Sequence, residues 1–177
     1  MAQRFIMTAF GKDRPGIAAD VTEILFENGC NLEDTSMTLL AGEFTLILLF
    51  TAGSPEAAEP LSRACRRLEQ EKGISAFLRP LEPQEGPLGN GFFTRSLHVE
   101  GLDHSGIVFK VSRCLADNGI NIVDLKSKVK ASPESGTAMY IMDIQIQIPN
   151  GTDMDAVESK LFDVADDLNV DIALSGS

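Results

Sequence analysis

Residues 11–34 read GKDRPGIAADVTEILFENGCNLED, and from residue 101 the chain reads GLDHSGIVFKVSRCLADNGINIVD. A shift of 90 aligns the two without a gap, and ten of the 24 positions are identical. They are Gly11/Gly101, Asp13/Asp103, Gly16/Gly106, Ile17/Ile107, Val21/Val111, Leu25/Leu115, Asn28/Asn118, Gly29/Gly119, Asn31/Asn121 and Asp34/Asp124. Unrelated stretches would share roughly one or two at the residue frequencies of soluble proteins. Two copies make a duplicated domain and not a solenoid, which needs at least three stacked units. Each copy, about 80 residues, is large enough to bury a core.

The segment between the copies supports this division. Residues 79–91 read RPLEPQEGPLGNG, with three prolines and three glycines. Such a run continues neither a helix nor an inner strand, so it reads as a linker. Domains are expected at 1–81 and 92–177, joined by a linker at 82–91. The Gly86–Gly91 run lacks phosphate-loop spacing and no strand-to-helix step follows it.

Within a copy, hydrophobic periodicity sets the elements. Arg4–Phe10 predicts a strand. Ile17, Val21, Ile24, Leu25 and Asn28 share one face of a helix. Pro15 suits that helix's first turn, where a missing N–H costs nothing, and Gly29 suits the left-handed position beyond its end. Asn31–Leu39 and Glu43–Thr51 predict strands joined through Gly42. Ser54-Pro55 opens a second helix with the stripe Ala58, Leu61, Cys65 and Leu68. Gly73 stops it, and Ile74–Leu81 closes the copy. The second copy repeats the order at Phe93–Glu100, Ser105–Asn118, Asn121–Ala131, Ala138–Ile148, Asp153–Leu168 and Asn169–Leu174. There Thr152 with Asp155 resembles a capping box. The order β-α-β-β-α-β predicts an α+β fold of two ferredoxin-like units with antiparallel sheets and helices on one face.

Such a sheet leaves its other face open. In Phe44–Phe50 both alternating sets of residues are largely apolar, so copy one's outer face, centred on Ile47 and Leu49, is expected to be covered by copy two or by a second chain. Copy two alternates cleanly, with Tyr140, Met142, Ile144 and Ile146 against Asp143, Gln145 and Gln147.

Composition excludes several functions. The chain has 26 acidic and 15 basic residues, a net charge of −11. That surplus repels phosphate backbones unless a basic patch compensates. The densest patch, Arg63, Arg66, Arg67 and Lys72, is broken by Glu69 and Glu71 and reads as a solvated helix face, so no direct nucleic-acid binding is expected. Cys30, Cys65 and Cys114 lack paired spacing, and the latter two lie on apolar stripes as small core residues. No apolar run is long enough to span a bilayer, and no signal peptide opens the sequence. A cytoplasmic protein without membrane contact is expected. His98 and His104 are the only histidines, and no His/Cys/carboxylate cluster has metal spacing. Neither catalysis, nor a metal, nor a cofactor is expected.

The loop Asp13-Arg14-Pro15-Gly16-Ile17, the helix after it and Gly29-Cys30-Asn31-Leu32 resemble the ACT domain, a small regulatory module that binds amino acids. The resemblance extends through TAFGKDRPGIA and ENGCNLEDTSMTLLAGEFTLILLF. It is weaker in copy two, where His104-Ser105 replace Arg14-Pro15 and Ile120 replaces Cys30. It implies that the units pair, with a homodimer as one form, and that amino acids bind at the pairing interface near the first loop. By resemblance, the ligand-contacting positions are Asp13, Arg14, Gly16, Ile17, Asn31 and Leu32, with Asp103, Gly106, Ile107, Asn121 and Ile122 in copy two. The chain is also similar to tandem-copy repressors, which implies control of a LysR-type transcription activator by protein contact. An amino-acid-sensing subunit of a metabolic enzyme is the alternative. Formyltetrahydrofolate deformylase begins with a similar segment, but its hydrolase domain has no counterpart in these residues.

The residues themselves suit a zwitterion. A helix starting at Gly16 presents free N–H groups and a positive dipole end to a carboxylate. Gly16 and Gly106 let a ligand approach the backbone. Asp13 or Asp103 accepts from an ammonium group, and Asn31 and Asn121 both donate and accept. The alternative is structural: Asp13 and Asp103 as helix caps, and Asn31 bonded to the loop backbone.

Overall fold

The computed structural model describes residues 2–82, 91–133 and 135–176. Most of the linker expected at 82–91 lies outside the described residues, as does Glu134 in the hairpin of the second copy. The chain divides into two compact units, Met1–Glu85 and Gly86–Ser177.

Unit 1 runs β1 (Gln3–Lys12), α1 (Ile17–Glu27), β2 (Asn31–Leu40), β3 (Glu43–Ala52), a 3-10 turn (Pro55–Ala57), α2 (Ala58–Lys72) and β4 (Ser75–Pro80). Unit 2 repeats this with β5 (Phe92–Leu102), α3 (Ile107–Asp117), β6 (Asn121–Ala131), β7 (Ala138–Pro149), α4 (Met154–Leu168) and β8 (Val170–Gly176). The sheet orders are β2-β3-β1-β4 and β6-β7-β5-β8, with every pairing antiparallel. This is the expected ferredoxin-like arrangement, twice.

The apolar stripes do what their periodicity predicts. Ile17, Val21, Ile24 and Leu25 of α1 and Leu61, Ala64, Cys65 and Leu68 of α2 are buried against Phe5, Met7, Phe44, Leu48 and Phe50 of the sheet. Ile107, Val111 and Leu115 do the same in unit 2 with Leu97, Met142, Ile144 and Ile146. Each such side chain contributes about 1.5–3 kcal/mol on burial. Cys114 is only half-buried, packed against the second core.

Helix ends depart from expectation in three places. Pro15 lies outside α1, because Gly16 adopts φ 87° as the N-cap and the helix begins one residue later. Pro55 opens a 3-10 turn, and α2 follows from Ala58. Thr152 forms no capping box; its hydroxyl donates to the Pro149 carbonyl, and Asp153 caps α4 by accepting from the Ala156 N–H at 3.1 Å.

Identical residues close α1 and α3 identically. Asn28 Nδ2 donates to Ile24 O at 2.8 Å, and Asn118 Nδ2 to Cys114 O at 2.7 Å. Gly29 and Gly119 then take φ 63° and 69°. Their successors, Cys30 and Ile120, donate back to Leu25 O and Leu115 O, the bond that ends a helix at a left-handed residue.

Candidate functional site

The retained pairs are the place to look for a site, because most have a structural duty. Ile17/Ile107, Val21/Val111 and Leu25/Leu115 are core, and Asn28/Asn118 and Gly29/Gly119 end helices. A Cβ on Gly11 would sit 3.1 Å from the Gly73 carbonyl, and one on Gly101 would sit 2.6 Å from Val170 Cγ1. Asp34 and Asp124 each follow a register shift where β2 and β6 bulge. Asp13/Asp103 and Asn31/Asn121 are different. All four are exposed, and among the described residues their side chains make no hydrogen bond that ties them to the fold.

The capping alternative for Asp13 and Asp103 therefore fails. Both α1 and α3 begin at a left-handed glycine with no side-chain cap, whereas Asp153 caps α4. A Cβ on Gly16 or Gly106 would meet nothing within 4 Å, so the space in front of each helix start is open. First-turn N–H groups and the positive dipole end face that space.

Ile17 and Ile107 are 3% and 2% exposed. Their side chains belong to the core, and the residues offer the loop only backbone. Ile122 is half-buried against the core of unit 2, and Leu32 is 42% exposed.

Arg14 is engaged by the first turn of α1. Its guanidinium donates to Asp20 at 2.5 Å, and Lys72, at the end of α2, lies 3.3 Å from the same carboxylate. The Arg14 hydrogen bond, more than Lys72, holds the Asp20 carboxyl below its ordinary range. This clamp ties the loop to both helices of unit 1. Unit 2 keeps the clamp with other chemistry. His104 stands in the place of Arg14 and contacts the carbonyls of Ser105 and Leu168. Lys110 stands in the place of Asp20 and pairs with Asp167. The partner charges Asp20, Lys110 and Asp167 were not picked out from the sequence, Lys72 was read only as part of a solvated basic face, and the reversed charge at the position shared by Asp20 and Lys110 was the available signal.

The expected site residues form two groups within a unit. Asp13, Arg14 and Gly16 follow Lys12, which pairs with Glu43, and the Asp13 N–H donates to Gly42 O at 2.9 Å. Asn31 pairs with Thr51, and Thr51 with Arg4. The two levels, Arg4 and Lys12, are about 26 Å apart at ~3.3 Å per residue. Asp103 and Asn121 are separated in the same way, at the Leu102 and Thr94 ends of β5. All ten residues of β2 are exposed, and among the described residues β2 is an edge strand, paired with β3.

The groove between α3 and α4, about 440 Å³, is lined by Lys110, Arg113, Cys114, Lys160 and Asp163 among others. Lys110 and Arg113 there are paired with Asp167 and Asp117, and Lys160 donates to the neutral side chain of Asn118. Among the described residues no group of three His, Cys, Asp or Glu is placed to hold a metal, and no helix is long and apolar enough to cross a membrane.

Known proteins share this arrangement. The ACT domain profile matches residues 3–78. The glycine cleavage system transcriptional repressor of Escherichia coli is 24% identical over 169 residues, covering 93% of this chain and 85% of that one. The UPF0237 protein of Methanococcus maripaludis is 34% identical over 74 residues, 41% of this chain and 81% of its own. A solved structure of a candidate glycine cleavage system transcriptional repressor superposes with a TM-score of 0.72 at 22% identity, covering 99% of this chain and 97% of that one. With its two ferredoxin-like units in tandem, the chain belongs to the ACT-domain family.

Proposed function

We propose that this protein is a non-catalytic sensor of a small amino acid, glycine or serine foremost, that controls a transcription activator through protein contact. The observation that carries this reading is the retention of two pairs without a structural duty: Asp13/Asp103 beside the open helix starts, and Asn31/Asn121 at the opposite end of each sheet. An ammonium group suits the aspartate, and a carboxylate suits the uncapped helix end. The bare glycine at each start leaves no side chain between ligand and backbone.

The two groups of residues come together when two ACT units pair antiparallel through the exposed β2 edge. The start of one β2 then lies beside the end of the other, and so beside the other's β1–α1 loop. A ligand held by both units favours the paired arrangement over the separated one, which is what a regulatory signal requires. Similarity to the glycine cleavage repressor supports a transcriptional partner, of the LysR type implied by that resemblance. The charge of −11 favours action through a protein and not on DNA.

A thermal-shift screen of the twenty amino acids tests the ligand class. Glycine or serine at a hundredfold excess over Kd stabilises by about 2.7 kcal/mol, which raises the Tm of a domain this size by about 10 °C or more. No response to any amino acid at millimolar concentration would remove the sensor and leave a scaffold. A pull-down from native lysate tests the partner, and a metabolic enzyme in place of an activator would overturn the transcriptional role.

A further inference from the structure

The two sheets differ on the side turned away from the helices. In unit 2 that side is polar: His98 Nδ1 lies 2.7 Å from Asp143, and Gln145 donates to Ser96. In unit 1 it is apolar at its centre. Phe77 is 65% exposed, Phe10 43% and Ile47 41%. The rings of Phe10 and Phe77 stack with centroids 6.0 Å apart. The expectation of an apolar outer face centred on Ile47 and Leu49 holds for the unit by itself, and what covers that face follows from its charges.

Reading across β2-β3-β1-β4, one row is Asp34–Leu49–Ile6–Arg79 and the next is Ser36–Ile47–Thr8–Phe77. In the first row an acid stands at one edge and a base at the other, with Leu49 and Ile6 between them. A two-fold axis parallel to the strands, midway between two such faces, sets β2 of one copy over β4 of the other. Asp34 then meets Arg79 of the second copy, twice, and Leu49 meets Ile6. Such a surface is complementary to itself, as an isologous interface requires. The outer face of unit 2 is a poor occupant, because His98, Asp143 and Glu100 would be taken out of water against apolar side chains.

We propose that the outer sheet face of unit 1 is an interface between two copies of this chain, packed sheet to sheet about a two-fold axis. Four strands ~4.8 Å apart and seven residues at ~3.4 Å each give a footprint of about 450 Å² per partner. That is small for a specific interface, so the dimer is weak and depends on concentration.

Sedimentation equilibrium of the full chain, from micromolar to millimolar, reads this directly. The wild type is expected to pass from monomer to dimer. Asp34→Arg and Arg79→Glu, each placing like charges opposite one another, raise the dissociation constant about tenfold or more. The double variant swaps the charges and restores the wild-type value. Ile47→Thr, which keeps a β-branched residue in the strand, weakens the dimer without disturbing the circular dichroism spectrum. A chain that stays monomeric throughout overturns the proposal. So does a dimer indifferent to Ile47→Thr, or one that the charge swap fails to rescue.

Discussion

The Nε2 atom of His104 lies 2.7 Å from the carbonyl oxygen of Leu168, and its Nδ1 lies 3.0 Å from that of Ser105. A neutral imidazole has one N–H, so both contacts are hydrogen bonds only in the imidazolium form. The clamp on the loop of unit 2 is therefore strongest when His104 is charged.

This gives a pH dependence. The Ser105 carbonyl, then that of Leu168, raises the His104 pKa above its ordinary 6.5, with Asp103 adding to the shift and Lys110 opposing it. A raised folded-state pKa means the contribution is complete below pH 6.5 and is lost as pH rises through the folded value. His98 shifts the same way, chiefly through Asp143, so the comparison belongs in a His98→Gln background. There, Tm should fall from acid to mildly alkaline pH, and adding His104→Gln should flatten the slope. Equal slopes in the two proteins would show that the contacts do not depend on charge.

Substitution at Gly16 separates backbone strain from ligand access. Gly16 has φ 87° and open space where a Cβ would stand. Valine there costs about 1–2 kcal/mol from the left-handed conformation alone. Asparagine tolerates that conformation far better and still fills the opening. Gly16→Asn should keep nearly wild-type stability and lose the amino-acid response of unit 1. A fully responsive Gly16→Asn protein would place the ligand elsewhere.

At Gly101 the limit is space. An added Cβ would sit 2.6 Å from Val170 Cγ1 and 3.0 Å from Val170 Cα, whereas the nearest atom at Gly11 is the Gly73 carbonyl oxygen at 3.1 Å. Gly101→Ala should destabilise unit 2 by about 1–3 kcal/mol through overpacking, and Gly11→Ala should cost unit 1 less. Urea unfolding of both variants checks the order, and a larger loss at Gly11 would reverse the argument.

Purified protein alone should not shift a duplex in a gel at physiological salt. The chain carries 26 acidic against 15 basic residues. Arg63, Arg67 and Lys72 of the basic patch are paired with Glu59, Glu27 and Asp20. A salt-sensitive shift at sub-micromolar protein would contradict this.

The strands and helices were legible because burial imposes a period, and α1, α2 and α3 all bury apolar residues at helical spacing. Where a helix starts was less legible. Pro15 looks like a first-turn residue, but Gly16 takes the left-handed conformation and delays the helix. Thr152 looks like a cap, but Asp153 is better placed. The candidate site was half legible. The repeat singled out Asp13 and Asn31, but local spacing does not say at which end of a sheet a residue lies. The topology does: β1 runs up, α1 returns, and β2 starts again from the bottom, so a first loop and a second-strand start in one unit stay apart. The clamps through Asp20 and His104 were hidden because they depend on where α2 and α4 end, a tertiary fact.

The outer edge strands of the two sheets are unequally guarded. β6 carries Lys126, Lys128 and Lys130 at alternate positions, whereas β2 reads NLEDTSMTLL, with no lysine. Lysines along an edge discourage another strand from adding to it. A chain with two bare edges could join neighbours at both and grow into a filament. With β6 guarded, growth through that edge is discouraged, and strand addition between these two edges is left to β2.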